Sequence, residues 1–538
     1  MLDFTSGTAQ AVVSGTPSVY RLLFGGVTPF SLDAASGGEL TLYNGGMDVA
    51  SGESTISTPL ALGWTPQTWS IADGAKLSVS GSVSAIGSEV VVDGPGTLEL
   101  PGDNSAFAVP MTLTNGTRVV VLSDTGLGSG TQNVTLFSPE GDANSTTTSY
   151  LLFKGDRTCA RPISLVGATG YINEPGKTVA FNGRFKAEPA GYSARTCAFN
   201  VVHDSTAVFA GGVDCGSVYR LFFNLDGGSE AVVRNVPIAG WTGTPSNAEI
   251  DLNCLSTKDN MGGTLRLDVA GNNWRTLRVL TATVKCGADN ALARDGWVLF
   301  GRYDWTPSVL GKRMQLDLNG HDQLTCGAST QWAFTEGKST YNPERYAIVK
   351  SATPATLTMS PTYDYYSNEN VDGQRTYYAA LKFMGEAALH FAPPNETSTI
   401  ATNFCLAYHV SDTKGALEVS AGRLSFVRGA GWGGSSNVVV NGTGTLRIAA
   451  DSVANAFGAN GAYTCLSLDD SGKIDIPSGS TVNVRWLRVN GQYLSRGKYG
   501  PVGSGAGVNT AYASHFTGGG VLNVRSAYPV NGTSLYLR

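Results

Sequence analysis

Apolar and polar residues alternate over short stretches along most of this chain, and glycine-containing pairs interrupt the alternation. In Lys312–Met359, Met314, Leu316 and Leu318 are separated by Gln315 and Asp317, and Asn319-Gly320 follows. A period of two places the apolar residues on one face of a strand, and Asn-Gly supplies the positive φ of a tight turn. After an irregular excursion, Thr356–Met359 reads as strand again. The same grammar predicts strands at Tyr20–Phe24, Lys76–Val79, Thr97–Leu100, Arg118–Leu122, Thr178–Phe181, Thr264–Val269 and Trp297–Arg302. No window carries a 3.6-residue period, so very little helix is expected.

One unit recurs. Val90–Leu100 reads VVVDGPGTLEL and Val438–Ile448 reads VVVNGTGTLRI. Shorter relatives are GGTLRL from Gly262 and GGVLNV from Gly519, each a glycine pair ahead of a Leu-x-apolar strand. A unit repeated along a chain, too small to bury its own apolar face, predicts stacked coils. The expected fold class is therefore all-β, a β-solenoid, in four stretches. Residues 1–140 form its N-terminal part, 141–310 a less regular continuation, 311–475 a part with an aromatic-rich excursion, and 476–538 a C-terminal capping segment.

Composition narrows the partners. The 538 residues include 68 glycines, are 42% hydrophobic and only 15% charged, which suits a folded all-β chain rather than a disordered one. A net charge of −5 without long runs of either sign offers no electrostatic footprint for nucleic acid or an anionic membrane. No apolar run is long enough to span a bilayer as a helix. The start, MLDFTSGTAQAVVSGT, lacks the pattern of a signal peptide, which leaves a cytosolic protein or a chain whose leader or upstream part is missing, and the abrupt strand-like start favours the second. The eight cysteines show no CxxC spacing and no histidine completes a zinc set; gaps of about one or two solenoid rungs predict small buried side chains stacked on one face, with disulfides, which the even count permits, as the alternative.

Asn441-Gly-Thr-Gly-Thr-Leu, Leu316-Asp-Leu-Asn-Gly-His-Asp-Gln and Ala355-Thr-Leu-Thr resemble the autotransporter-associated β-strand repeat of large bacterial surface proteins. The tail, with STVNVRWLRVNGQYLSRGKYG from Ser480 and HFTGGGVLNV from His515, is similar to the closing segment of such passengers. The patches of likeness are 74–130, 312–360, 415–450 and 475–525. What the resemblance implies is a right-handed parallel β-helix that is secreted or displayed at the cell surface, with no shared catalytic residues. An outer-membrane barrel would require further amphipathic strands, so any membrane attachment is expected to lie upstream or be absent.

Chemistry is harder to read. Asp251, Asp268, Asp317 and Asp475 fall on outward-alternating positions. Paired acids on strands serve β-helical polysaccharide lyases and hydrolases, and Asp251, Asp268 and Asp317 are the catalytic candidates if the chain is an enzyme. A solvated strand face is the plainer expectation. His203, His321, His390, His409 and His515 show no ligand spacing, and no metal or cofactor is expected. The most suggestive stretch is aromatic: Trp332, Tyr341, Tyr346, Tyr363, Tyr365, Tyr366 and Tyr377 interleave with Arg345 and Asp364. Rings that stack on sugars, mixed with polar groups that fix hydroxyls, are what a polysaccharide or cell-surface glycan requires. The expected function is a structural or adhesive passenger that contacts glycans, with a β-helical lyase or hydrolase as the alternative. Oligomeric state is not written in the sequence.

Overall fold

The computed structural model describes residues 1–528 apart from 5–8, 27–28, 64–65, 86, 88, 139–147, 168, 173, 190–195, 217, 219, 241–248, 254–261, 302–313, 331–345, 363–368, 372–373, 395–402, 435–436, 459–460 and 462–463. The chain divides into two compact units, Met1–Thr276 and Leu277–Arg538. Both are built from short parallel strands stacked rung on rung, the architecture of a parallel β-helix. Among the described residues, helix is confined to single 3-10 turns such as Ala450–Ser452 and Ala513–His515.

In the first unit the register aligns apolar side chains of successive rungs in columns. On one sheet Leu22, Met47, Trp69, Val92, Leu113, Leu136, Leu165 and Ala187 are successive partners. A second sheet carries Leu77, Leu98, Val119 and Leu151 in the same way. A third begins at Arg157–Cys159 and stacks Cys159, Phe181, Phe209, Val233 and Leu267. All of these are buried. Fully burying such a side chain stabilises by about 1.5–3 kcal/mol, so each rung is held by the rungs on either side rather than by itself. Phe181, Phe185, Phe199 and Phe209 fill the interior as an aromatic cluster, with centroids 5.0–6.2 Å apart and mostly edge-to-face.

In the second unit one sheet stacks Leu357, Leu389, Leu417, Val438, Leu466 and Leu487. A facing column runs through Phe404, Leu424, Leu446, Ile474 and Phe516. Within 476–528 antiparallel pairs join the parallel ones. Gln492–Tyr493 turns back on Trp486–Val489, and Gly497–Tyr499 runs against Val521–Val524.

The repeated unit has one structure in both copies. Val90–Asp93 and Thr97–Leu100 are strands on two sheets, as are Asn437–Val440 and Thr445–Ile448. A glycine at the same point of each copy passes tightly over the rung below. A Cβ on Gly96 would collide with Ile71 and Ala72, and one on Gly444 with the Val419 carbonyl. That close approach is the physical reason the motif keeps glycine there.

Asn319-Gly320 has the expected positive φ values, 51° and 82°. Gln315–Asp317 and Gln323–Thr325 flank it, and both pair in parallel with the single long strand Ala347–Met359, so the turn is a corner within a rung. The seven described cysteines are buried thiols, but against the expectation of one shared face they form no common stack: Cys159 faces Phe181, Cys197 faces Leu221, and Cys465 faces Trp486. Corner aspartates also link the rungs. Asp156, Asp322 and Asp469 accept the amides of Thr178, Thr356 and Gly491 from neighbouring rungs at 2.8, 2.7 and 3.2 Å.

Candidate functional site

Of the aromatic candidates, Trp332, Tyr341, Arg345, Tyr363, Asp364, Tyr365 and Tyr366 lie outside the described residues. Tyr377 belongs to the strand Gln374–Ala379, where its backbone pairs with Phe404. Tyr346 is the candidate whose surroundings are defined. It leads into Ala347–Met359, half-buried, with its ring centroid 4.4 Å from that of His409. Lys382, on the neighbouring strand Leu381–Phe391, places Nζ 5.8 Å from the centre of the same ring. Burial first, and the Lys382 charge second, hold the His409 imidazole down to about 4, so it is neutral at neutral pH.

Beside His409 the backbone is unusual. Tyr408 has φ 72°, and the His409 amide donates to the Ala407 carbonyl at 3.0 Å, a three-residue turn. Left-handed backbone in a bulky residue is costly and persists where surrounding structure enforces it. On the following rung Arg428 is also left-handed, φ 54°, and its amide donates to Asp451 Oδ1 at 2.9 Å. Its guanidinium carbon lies 5.3 Å from the Tyr408 ring centre, and the group donates to the Tyr408 hydroxyl. Tyr408 and Arg428 escaped sequence reading, and His409 stood out only as a histidine without ligand spacing, because nothing local marks two corners twenty residues apart as stacked. The only signal was Gly429 after Arg428, a turn pair.

Each candidate acid has its own surroundings. Asp251 lies on Glu249–Asn253 and is fully buried, contrary to a solvated face. Arg220 Nε is 3.0 Å from Glu249 Oε2 and 3.9 Å from Asp251 Oδ2, and Arg275 is 4.0 Å from Glu249. Strand pairing explains the cluster, since Arg220 faces Glu249 and Phe222 faces Asp251. Asp268 follows a strand of a different sheet and pairs with Arg266 at 2.7 Å. Asp317 lies in the second unit, 3.8 Å from Lys350. Asp475 is 3.8 Å from Arg447.

The histidines divide similarly. His515 is buried with Nδ1 2.8 Å from the Gly472 carbonyl. His321 contacts Asp289 at 3.2 Å, and His203 sits 3.2 Å from Asp204. His390 Nε2 lies 2.8 Å from Ser420 Oγ and 3.9 Å from Glu418 Oε1. Both partners use one ring nitrogen, whereas a nucleophile relay requires opposite nitrogens. Among the described residues no group of His, Cys, Asp and Glu is placed to hold a metal ion.

No known family pattern, curated protein or solved structure matches this chain.

Proposed function

We propose that the chain is an extracellular β-solenoid of the autotransporter-associated repeat type, with a structural or adhesive role, which contacts glycans through the surface around Tyr346. The observation that carries this reading is the Tyr346–His409–Lys382 cluster beside the Tyr408–Arg428 pair. Rings held against their neighbours give apolar faces for sugar stacking at little entropic cost, and the cations and hydroxyl supply directional bonds. The parallel β-helix supports it, because rungs repeat side chains at a fixed spacing along a surface, as a polymer repeats its sugars. The resemblance supplies the extracellular setting.

The alternative is a β-helical lyase or hydrolase. Arg220, Glu249 and Asp251 are the set that favours it, but Asp268 sits on another sheet and Asp251 is fully buried. The glycan-contact reading therefore stands first.

The test is incubation of the purified chain with a panel of bacterial, plant and host polysaccharides. Retention on each polymer is measured alongside released reducing ends and unsaturated products. Retention without products, lost in Tyr346→Ala at unchanged thermal stability, is the expected result. Product release on any polymer would overturn the non-catalytic reading, and retention indifferent to Tyr346→Ala would remove the proposed surface.

A further inference from the structure

Residues 476–538 contain Arg485, Arg488, Arg496, Lys498, Arg525 and Arg538 and no Asp or Glu. Of the chain's 37 basic and 42 acidic residues, the preceding 475 therefore hold 31 and all 42, so a net positive segment of +6 follows a body of −11. A sign reversal on this scale points to a partner of its own.

The fold concentrates part of that charge. Thr481–Val484 pairs in parallel with Val521–Val524, Val484 opposite Val524. The pairing runs on: the Arg525 amide donates to the Val484 carbonyl at 2.9 Å and the Ser526 amide to the Arg485 carbonyl at 3.1 Å. Arg485 and Arg525 are thus brought to neighbouring register positions on adjacent strands. Among the described residues no carboxylate lies within ion-pair distance of Arg485. Its guanidinium instead lies 4.2 Å from the centre of the Trp486 ring. Trp486 meets Tyr528 edge-on at 5.2 Å, and Tyr528 stacks on Tyr493 at 3.6 Å. Tyr493 and Tyr528 are 43% and 39% exposed, too open to be core.

We propose that this surface, Arg485 and Arg525 beside Trp486, Tyr493 and Tyr528, binds an anionic polysaccharide bearing one carboxylate per sugar unit. Neighbouring strands are about 4.8 Å apart, the scale of a single sugar along a polymer, so adjacent arginines match successive carboxylates. Asn483 and Asn523, whose side chains bond each other at 2.8 Å in the same register, add amides of the kind that fix sugar hydroxyls. Tyr493 and Tyr528 are closed on each other and leave no slot for an inserted base, which favours a sugar polymer over single-stranded nucleic acid. The site is separate from the Tyr346 surface and stands or falls independently of it.

Affinity electrophoresis of the full chain through gels holding polygalacturonate, dextran or no polymer tests this, with a single-stranded oligodeoxynucleotide titrated separately. Polygalacturonate is expected to retard the chain, dextran not, and added salt to weaken the effect. Arg485→Gln with Arg525→Gln should weaken retention at least tenfold at unchanged melting temperature, and Tyr346→Ala should leave it intact. Tyr493→Ala checks the aromatic contribution separately and should also weaken retention. Equal retention by dextran, retention indifferent to the arginine pair, or binding of the oligonucleotide alone would overturn the proposal.

Discussion

Arg161 Nη2 lies 2.6 Å from the carbonyl oxygen of Val109, 52 residues earlier in the chain. The same guanidinium donates to the carbonyls of Leu127, Gln132 and Asn133, and it sits 5.5 Å from the Phe107 ring centre. A fully buried arginine thus closes several irregular connections of the first unit at once. Its fork of donors, fixed in a plane, matches a set of converging carbonyls that an ammonium group could not serve.

Arg161→Ala strands those carbonyls in the interior and leaves a cavity. Chemical denaturation is expected to show a loss of about 3 kcal/mol or more. Arg161→Lys should recover only part of it. A loss within the range of ordinary surface substitutions would show that water replaces the guanidinium.

The buried thiols predict both reactivity and pH dependence. Burial pushes Cys159 up to about 11 and Cys215 and Cys405 up to about 12, and it raises Cys286 as well. The unfolded chain loses these protons near 9 while the folded chain keeps them. Stability present below pH 9 is therefore lost as pH rises toward 11, by about 1.4 kcal/mol per unit for each thiol. Iodoacetamide followed by peptide mapping should label these four cysteines only in denaturant. Labelling of the native chain would mean that the rungs open locally.

His409 gives the opposite slope at acid pH. Its folded value near 4 lies below the ordinary 6.5, so the unfolded chain binds the extra proton between those values. Stability should fall as pH is lowered through this window. His409→Phe keeps a ring against Tyr346 and removes the titration. Its melting temperature should depend less on pH between 6.5 and 4 than that of the parent; parallel curves would remove His409 as the cause.

The two copies of the repeated unit make a paired prediction. Gly96→Ala and Gly444→Ala each force a Cβ into the rung below, and each should cost about 1–3 kcal/mol. Thermal melts of the single variants check it. A neutral effect at either position would show that the copies differ in how closely their rungs pack.

The sequence by itself determined the strands, the corners and the all-β solenoid, because period-two alternation and glycine placement are local properties. Lys76–Val79, Thr97–Leu100 and Thr178–Phe181 were legible to the residue. The recurrence of VVVDGPGTLEL announced a stacking unit, and both copies adopt one structure. Rung register was not legible, since it depends on connections of unequal length and on which apolar faces fit together. Register is what placed Arg220 against Glu249, Arg485 beside Arg525, and Tyr408 under Arg428. It also placed Asp251 within a strand of one sheet and Asp268 just after a strand of another. Alternation tells which way a side chain points from its strand; only the stacking of distant rungs decides what it meets there.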